Sequence, residues 1–149
     1  MNFEVLFEKI KSKKAQTFIS EHLEEDTNAL RLKYHSKKDF PYLACIDQIE
    51  AKQRLKKKNP SWASNPSLVF PPKLNVEQSS SEATSNYKAN LLNGERFIDL
   101  TGGMGIDTLA FSKRFKEGHY CDLSENLCHI ARYNFCLLYT SDAADDLLC

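Results

Sequence analysis

Long apolar runs, a secretory signal and paired cysteines are all missing from this 149-residue sequence. No segment approaches the roughly 20 apolar residues of a membrane-spanning helix, so we expect no membrane association. The five cysteines are odd in number and form no CxxC pair, which favours reduced thiols in a cytoplasmic protein. The four histidines are scattered along the chain, and we expect no metal site.

The sequence also has no net charge, but its two halves carry net charges of opposite sign. Residues 1–58 hold 13 Lys and Arg against 9 Asp and Glu, whereas residues 59–149 hold 7 against 11. The basic residues concentrate in Lys52–Lys58, which could follow a phosphate backbone. The simpler interpretation, which we favour, is a solvated helix end whose lysines complement the helix dipole.

The N-terminal part of the sequence has helical periodicity. Apolar residues recur at this spacing through residues 1–58, which we predict to be a helical N-terminal region. Its longest helix begins at Pro41, ends at Asn59-Pro60 and has one apolar face formed by Leu43, Ile46, Ile49 and Leu55. Residues 59–78 hold four of the five prolines and are predicted to be an extended connector, docked by Trp62, Leu68, Val69 and Phe70.

The pattern then changes to that of an α/β domain over residues 79–135. Ser79 and Glu82 have the spacing of a capping box for a helix over residues 82–92. A short buried strand over 97–100, a glycine turn, a helix over 106–115, a strand over 119–122 and a helix over 125–135 follow. This order predicts the first two βα units of a Rossmann-like, doubly wound sheet.

The glycine turn points to a nucleotide-type ligand. Glycines at 102, 103 and 105 follow Asp99 and let the backbone turn sharply and approach a ligand closely. A dinucleotide loop reads GxGxxG, but Thr108 stands where the third glycine belongs. Asp99 is suited to a cationic or hydroxyl-bearing ligand better than to a pyrophosphate. Asp122 ends the next strand and is predicted to hold a ribose, although it could instead cap the following helix.

At these residues the sequence resembles a known family. Phe97–Thr108, read as FIDLTGGMGIDT, is similar to motif I of class I S-adenosylmethionine-dependent methyltransferases. Most of residues 40–135, including EQSSSEATSNYKA at 77–89, resembles a bacterial group that carries a THUMP-like domain at the C-terminus. The resemblance implies S-adenosylmethionine as cofactor and suggests RNA as the substrate. Two alternatives stay open, an NAD-type oxidoreductase domain and a non-enzymatic RNA-binding module that uses Lys52–Lys58.

The resemblance also implies the roles of site residues. The methionine end of the cofactor would be lined by Asp99, Thr101, Gly102, Gly103 and Gly105. Asp122 would hold the ribose, with Leu123 beside the adenine. Four more residues would either close over the cofactor or simply cap helices: Gln78, Ser80, Ser81 and Thr84. For Asp107 and Thr108 we favour a role in the first helical turn.

The last residues do not fit this pattern. Residues 136–149 begin CLLYTSDAADD, which matches the translation of a transposase-type sequencing adapter, and we expect this tail to be non-native. The acceptor-side motif of the family and its THUMP-like part are absent from the sequence. We therefore predict a truncated fragment of a methyltransferase that binds cofactor but lacks activity. The catalytic residues and the oligomeric state cannot be assigned.

Overall fold

The computed structural model describes residues 2–139, which form two compact units. Within the described residues, unit 1 ends at Lys73 and unit 2 begins at Leu74. The adapter-like tail lies outside the described residues from position 140 onward. Among the described helices, none is long and apolar enough to cross a membrane.

Unit 1 is helical, as predicted. Its helices are α1 (Phe3–Lys11), α2 (Lys13–Glu21), α3 (Thr27–Tyr34), α4 (Tyr42–Lys58) and α5 (Pro60–Ser64). Local capping explains their boundaries. Ser12 accepts a hydrogen bond from the Ala15 N–H to begin α2, and Asp26 accepts one from the Asn28 N–H to begin α3. Pro60 occupies the first turn of α5, where its missing N–H costs nothing.

Helix α4 passes through the core of unit 1. Ile46, Ile49 and Leu55 are fully buried, whereas Leu43, predicted on the same face, is 43% exposed. The connector is docked as expected, because Trp62, Leu68, Val69 and Phe70 are all buried. It is not extended throughout, since α5 and a further helix, α6 (Lys73–Gln78), lie within it. Gln48 of α4 binds the backbone of the connector: its side-chain amide donates to the Phe70 carbonyl and accepts from the Phe70 N–H.

Unit 2 contains the predicted alternation of strands and helices. After α6 come α7 (Glu82–Asn90), β1 (Gly94–Asp99), α8 (Ile106–Ser112), β2 (Phe115–Tyr120) and α9 (Glu125–Tyr139). The capping residue of α7 differs from the prediction. Ser81 accepts from the Thr84 N–H, whereas the Ser79 hydroxyl donates to the Val76 carbonyl at the end of α6. The last helix also continues past residue 135, into the segment expected to be non-native.

The two strands of unit 2 are parallel and lie side by side, with Asp99 opposite Tyr120. Both begin earlier than predicted, and Phe115 opens β2 instead of ending α8. We expected a buried first strand, but Ile98 is 58% exposed. Phe97 packs against Phe111 of α8, whereas Ile98 lies on the opposite face of β1, which the described residues leave uncovered.

Candidate functional site

The glycine turn connects the carboxyl end of β1 to α8. Gly103 and Gly105 have φ angles of +55° and +88°, the left-handed region that favours glycine. Gly102 is needed for a different reason. A Cβ at this position would lie 2.2 Å from the ring of Tyr120, which is buried and donates its hydroxyl to the Gly103 carbonyl. The loop therefore packs closely on the end of β2.

The N–H groups of the three glycines are already used within the chain. The Gly102 N–H donates to the Cys121 carbonyl, and the Gly105 N–H donates to the Gly102 carbonyl. The Gly103 N–H donates to Asp122 Oδ2 over 3.0 Å. The donors that a dinucleotide loop offers to a pyrophosphate are thus engaged by carbonyl and carboxylate oxygens.

Asp99 holds the loop and the following helix together. Its Oδ2 accepts a 2.6 Å hydrogen bond from the Thr108 hydroxyl, and its Oδ1 accepts from the Thr101 N–H. Thr108 is completely buried. The residue that replaces the third glycine therefore ties α8 to β1, which is more than the first-turn role we favoured from the sequence.

Asp122 lies just beyond the end of β2 and faces the loop. Besides the Gly103 contact, it accepts a hydrogen bond from the Ser124 N–H at 2.9 Å. The cap of α9 is Ser124, whose hydroxyl accepts from the Leu127 N–H. Asp122 therefore shapes the turn before α9 without capping that helix itself, and it lines the cavity described next.

A cavity of about 310 Å³ opens beside the glycine turn, within unit 2. Seven of the predicted site residues line it: Gln78, Ser80, Thr101, Gly102, Gly103, Gly105 and Asp122. Six further residues complete the lining: Asn75, Ser79, Met104, Ile106, Asp107 and Leu127. The lining thus includes two aspartates and, among the described residues, no lysine, arginine or histidine.

Ser80, Lys88 and Asp107 form a polar cluster at this cavity. Lys88 Nζ and Ser80 Oγ both contact Asp107 Oδ2, at 2.9 and 2.8 Å. The other carboxylate oxygen, Asp107 Oδ1, is buried and accepts no hydrogen bond from the described residues. The cluster fixes the segment before α7 against the start of α8.

Four predicted residues do not line the cavity. Asp99 acts through the loop, and Ser81 and Thr84 bond to each other at the start of α7. Leu123 is fully exposed, so the described residues form no adenine pocket around it.

The structure also identifies cavity residues that we did not predict. Asn75 and Ser79 belong to α6 and its end, which the sequence presented as a proline-rich connector. The three apolar residues could have been predicted from the sequence. Two of them lie within or next to the glycine turn, Met104 and Ile106, and the third lies on the apolar face of the helix after Asp122, Leu127.

The basic cluster of α4 does not form an open phosphate track. Lys52 is buried and donates to the carbonyls of Ala63 and Asn65, at 3.3 and 2.7 Å. Burial lowers the pKa of the Lys52 ammonium to about 8. Lys56 is paired with Glu24 at 2.9 Å. Neither proposed reading of the cluster, as a phosphate site or as a wholly solvated helix end, describes Lys52.

Comparison with known proteins supports a methyltransferase-like α/β fold. The chain is similar to a solved structure described as "Crystal structure of putative methyltransferase from Porphyromonas gingivalis W83", with 32% sequence identity and a TM-score of 0.68. The match covers 84% of this chain but 31% of that chain. No protein-family model matches the sequence, and no curated protein matches it.

Proposed function

We propose that unit 2 is the S-adenosylmethionine-binding part of a class I methyltransferase. The observation that carries the proposal is the negative charge of Asp122 at the cavity, since the second carboxylate of the lining, Asp107, is paired with Lys88. S-adenosylmethionine has positive charges on its sulfur and its amino group, so this lining complements it. The similarity to a methyltransferase structure supports the same assignment.

The alternative cofactor, NAD, fits this cavity poorly. Its pyrophosphate needs free N–H donors or cations, and the three glycine N–H groups are bonded inside the chain. The Asp122 carboxylate beside the loop would repel the phosphates, with an interaction of about 1–4 kcal/mol per close pair at 4 Å in water or near a protein surface. The electrostatics of the described residues therefore favour a cationic ligand.

The residues of the chain then take binding roles. Asp122 would accept hydrogen bonds from the ribose hydroxyls through its remaining lone pairs, and Gly102, Gly103 and Gly105 let the ligand approach the backbone. When bound, the cofactor supplies a methyl group on a positively charged sulfur, which a nucleophile attacks directly. Asp99, tied to Thr108, is a positioning residue that keeps the loop in its left-handed turn.

The remaining assignments rest on the sequence resemblance and concern the whole protein. We propose RNA as the methyl acceptor, a THUMP-like domain in the complete protein and a cytoplasmic location. We also propose that this 149-residue chain binds the cofactor without transferring its methyl group, because the described residues include no acceptor site.

Calorimetric titration of the chain with S-adenosylhomocysteine and with NAD tests the cofactor. We expect binding of the former and none of the latter. Asp122→Asn removes the carboxylate that faces the cavity and should weaken S-adenosylhomocysteine about tenfold or more, as for a lost hydrogen bond to a charged group. Glu125→Gln makes the same carboxylate-to-amide change at an exposed position outside the cavity and should have little effect. Binding of NAD, or equal losses in both variants, would contradict the proposal.

A further inference from the structure

Unit 1 has a second cavity, of about 440 Å³, whose wall is aromatic. Five rings contribute to it, and we call this surface the aromatic groove: Phe18, His22, Tyr34, Phe40 and Tyr42. Phe18 and Tyr34 are buried behind it, whereas His22, Phe40 and Tyr42 are partly exposed. The proposed cofactor site involves none of these residues, because all of them belong to unit 1.

The rings support one another in fixed orientations. Tyr34 and Tyr42 stack with centroids 4.5 Å apart, and Phe18 stacks on His22 at 4.2 Å. Phe40 meets the Tyr42 ring edge-on at 5.0 Å. The groove is therefore a rigid platform on which a flat ligand can stack with little loss of side-chain entropy.

Lysines reach over these rings from two sides. Lys14 Nζ lies 4.7 Å from the centroid of Phe40, and Lys37 Nζ lies 4.7 Å from that of Tyr34. Both lysines are exposed and line the cavity, together with one acidic residue, Glu21. A second acidic residue, Asp39, lies near the Tyr42 hydroxyl, whose pKa is raised mainly by burial and in addition by this carboxylate. Lys33, also exposed, approaches Tyr34 at 5.2 Å. Three lysines against two acidic residues, Glu21 and Asp39, leave a small excess of positive charge that favours an anionic ligand.

A flat ring and a negative charge together describe a nucleotide. We propose that the aromatic groove binds single-stranded nucleic acid, with a base stacked on the partly exposed Tyr42 ring and the adjoining phosphates at Lys14 and Lys37. Aromatic platforms flanked by cations are the usual means by which proteins hold unpaired strands. A cationic ligand, such as a methylated ammonium group, is disfavoured because Lys14 and Lys37 already place positive charge beside these rings and would repel it.

The lysines at the end of α4 are a weaker candidate for the same partner. Lys52 is buried against carbonyl groups, and Lys56 is paired with Glu24. Lys52 and Lys56 line a separate cavity of unit 1, and no aromatic side chain of the described residues lines it with them. Lys57 of this cluster is exposed and so provides a matched control for Lys37.

Fluorescence anisotropy with a labelled single-stranded RNA of about 12 nucleotides tests the proposal. We expect Lys37→Glu to weaken binding about tenfold at low salt and to reduce the salt dependence, because one phosphate contact is lost. Lys57→Glu makes the same charge change on α4 and should leave the affinity within about twofold. Equal effects of the two variants would overturn the proposal in favour of diffuse attraction to the basic half.

Two further variants distinguish base stacking from charge attraction, and a loss of binding from a loss of folding. Tyr42→Leu should weaken the RNA about tenfold but leave an abasic strand of equal length unaffected, since that strand has phosphates and no bases. Glu21→Gln should strengthen RNA binding about twofold to threefold, a gain that misfolding cannot produce. An abasic strand that binds as tightly as RNA, or no binding of RNA at low salt, overturns the proposal.

A DNA strand of the same sequence identifies the nucleic acid. Tighter binding of RNA places the 2′-hydroxyl in the interaction, and equal binding shows that the groove recognises base and phosphate alone; either result supports the stacking site. These measurements use no cofactor. Their outcome is therefore independent of the titration with S-adenosylhomocysteine.

Discussion

The three glycines of the turn serve different physical needs. Gly103 needs only its left-handed φ, because a Cβ there would approach nothing closer than 3.9 Å. Gly102 needs only space beside Tyr120. Gly105 needs both: its φ is +88° and a Cβ would lie 2.6 Å from the Phe135 ring. One sequence pattern thus contains three constraints of different strength.

These constraints predict an order of destabilisation for glycine-to-alanine variants. Gly103→Ala should cost about 1–2 kcal/mol, the penalty of a left-handed residue with a Cβ. Gly105→Ala should cost about 3 kcal/mol or more, because overlap with the buried Phe135 ring is added to that penalty. Urea unfolding, followed by NMR signals from β1 and β2, measures both. A Gly103→Ala variant less stable than Gly105→Ala would contradict this account.

At the scale of elements, α4 is the central scaffold of unit 1. It contributes the buried Ile46 and Ile49, the Gln48 amide that holds the connector, and a carboxylate, Glu50, that gathers cations from three segments. Arg54 of the same helix lies 2.7 Å from Glu50, Arg31 of α3 lies 3.0 Å away, and Lys73 lies 3.4 Å away. Helix α4 is thereby tied to its neighbours by charge as well as by packing.

This network predicts a pH dependence of stability. The Arg54 hydrogen bonds, with those of Arg31 and Lys73, lower the pKa of Glu50 from 4.5 to about 2. The stabilisation is therefore fully present above about pH 4.5 and is lost as the pH falls towards about 2. We expect Glu50→Gln to cost about 1–2 kcal/mol at pH 7 and to remove this loss.

Urea unfolding between pH 7 and pH 2.5 measures the effect of Glu50→Gln. Glu24→Gln is the control, since Glu24 also pairs with a lysine but is 75% exposed, and it should leave the unfolding curves nearly unchanged. If Glu50→Gln and the parent chain lose stability in parallel as the solution is acidified, the network does not stabilise the fold.

The sequence predicted the helices and strands more accurately than the capping contacts and side-chain burial around them. Helical periodicity identified α4, and the alternation of patterns identified β1, α8, β2 and α9, because these signals are local. The N-cap of α7 was misplaced by two residues, since two serines compete and tertiary contacts decide between them. The burial of Lys52 was also missed, because it depends on the carbonyls of Ala63 in α5 and of Asn65 just after it, 11 and 13 residues away.

The same limit applies to the candidate site. The glycine turn was predicted because its residues adjoin in sequence, and Asp122 because it follows the next predicted strand; both line the cavity. The sequence did not indicate that Asn75 and Asp107 line the cavity, because α6 and the start of α8 lie at the same opening only in the folded chain. The hydrogen bond between Thr108 and Asp99 was likewise not predicted, because the two residues lie nine positions apart in the sequence.

At the scale of the whole molecule, the described residues form the proposed cofactor site but give little enclosure for a reaction. It spans 31% of the similar solved protein, and the sheet of the described residues has two strands. Apolar side chains near the strand ends are exposed: Ile98 at 58%, Leu100 at 67% and Leu123 completely. Methyl transfer requires an acceptor held at the methyl group with water excluded, and neither condition is met by these residues.

The expected result is cofactor binding without catalysis. The chain, incubated with S-adenosylmethionine labelled in the methyl group and with total bacterial RNA, should incorporate no label above a heat-denatured sample. The same preparation must bind S-adenosylhomocysteine in the calorimeter, so that a negative result cannot be attributed to misfolding. Asp122→Asn gives the matched control, because incorporation that persists in this binding-impaired variant comes from a contaminating enzyme. Incorporation by the parent chain that Asp122→Asn abolishes would show that these residues already assemble an acceptor site.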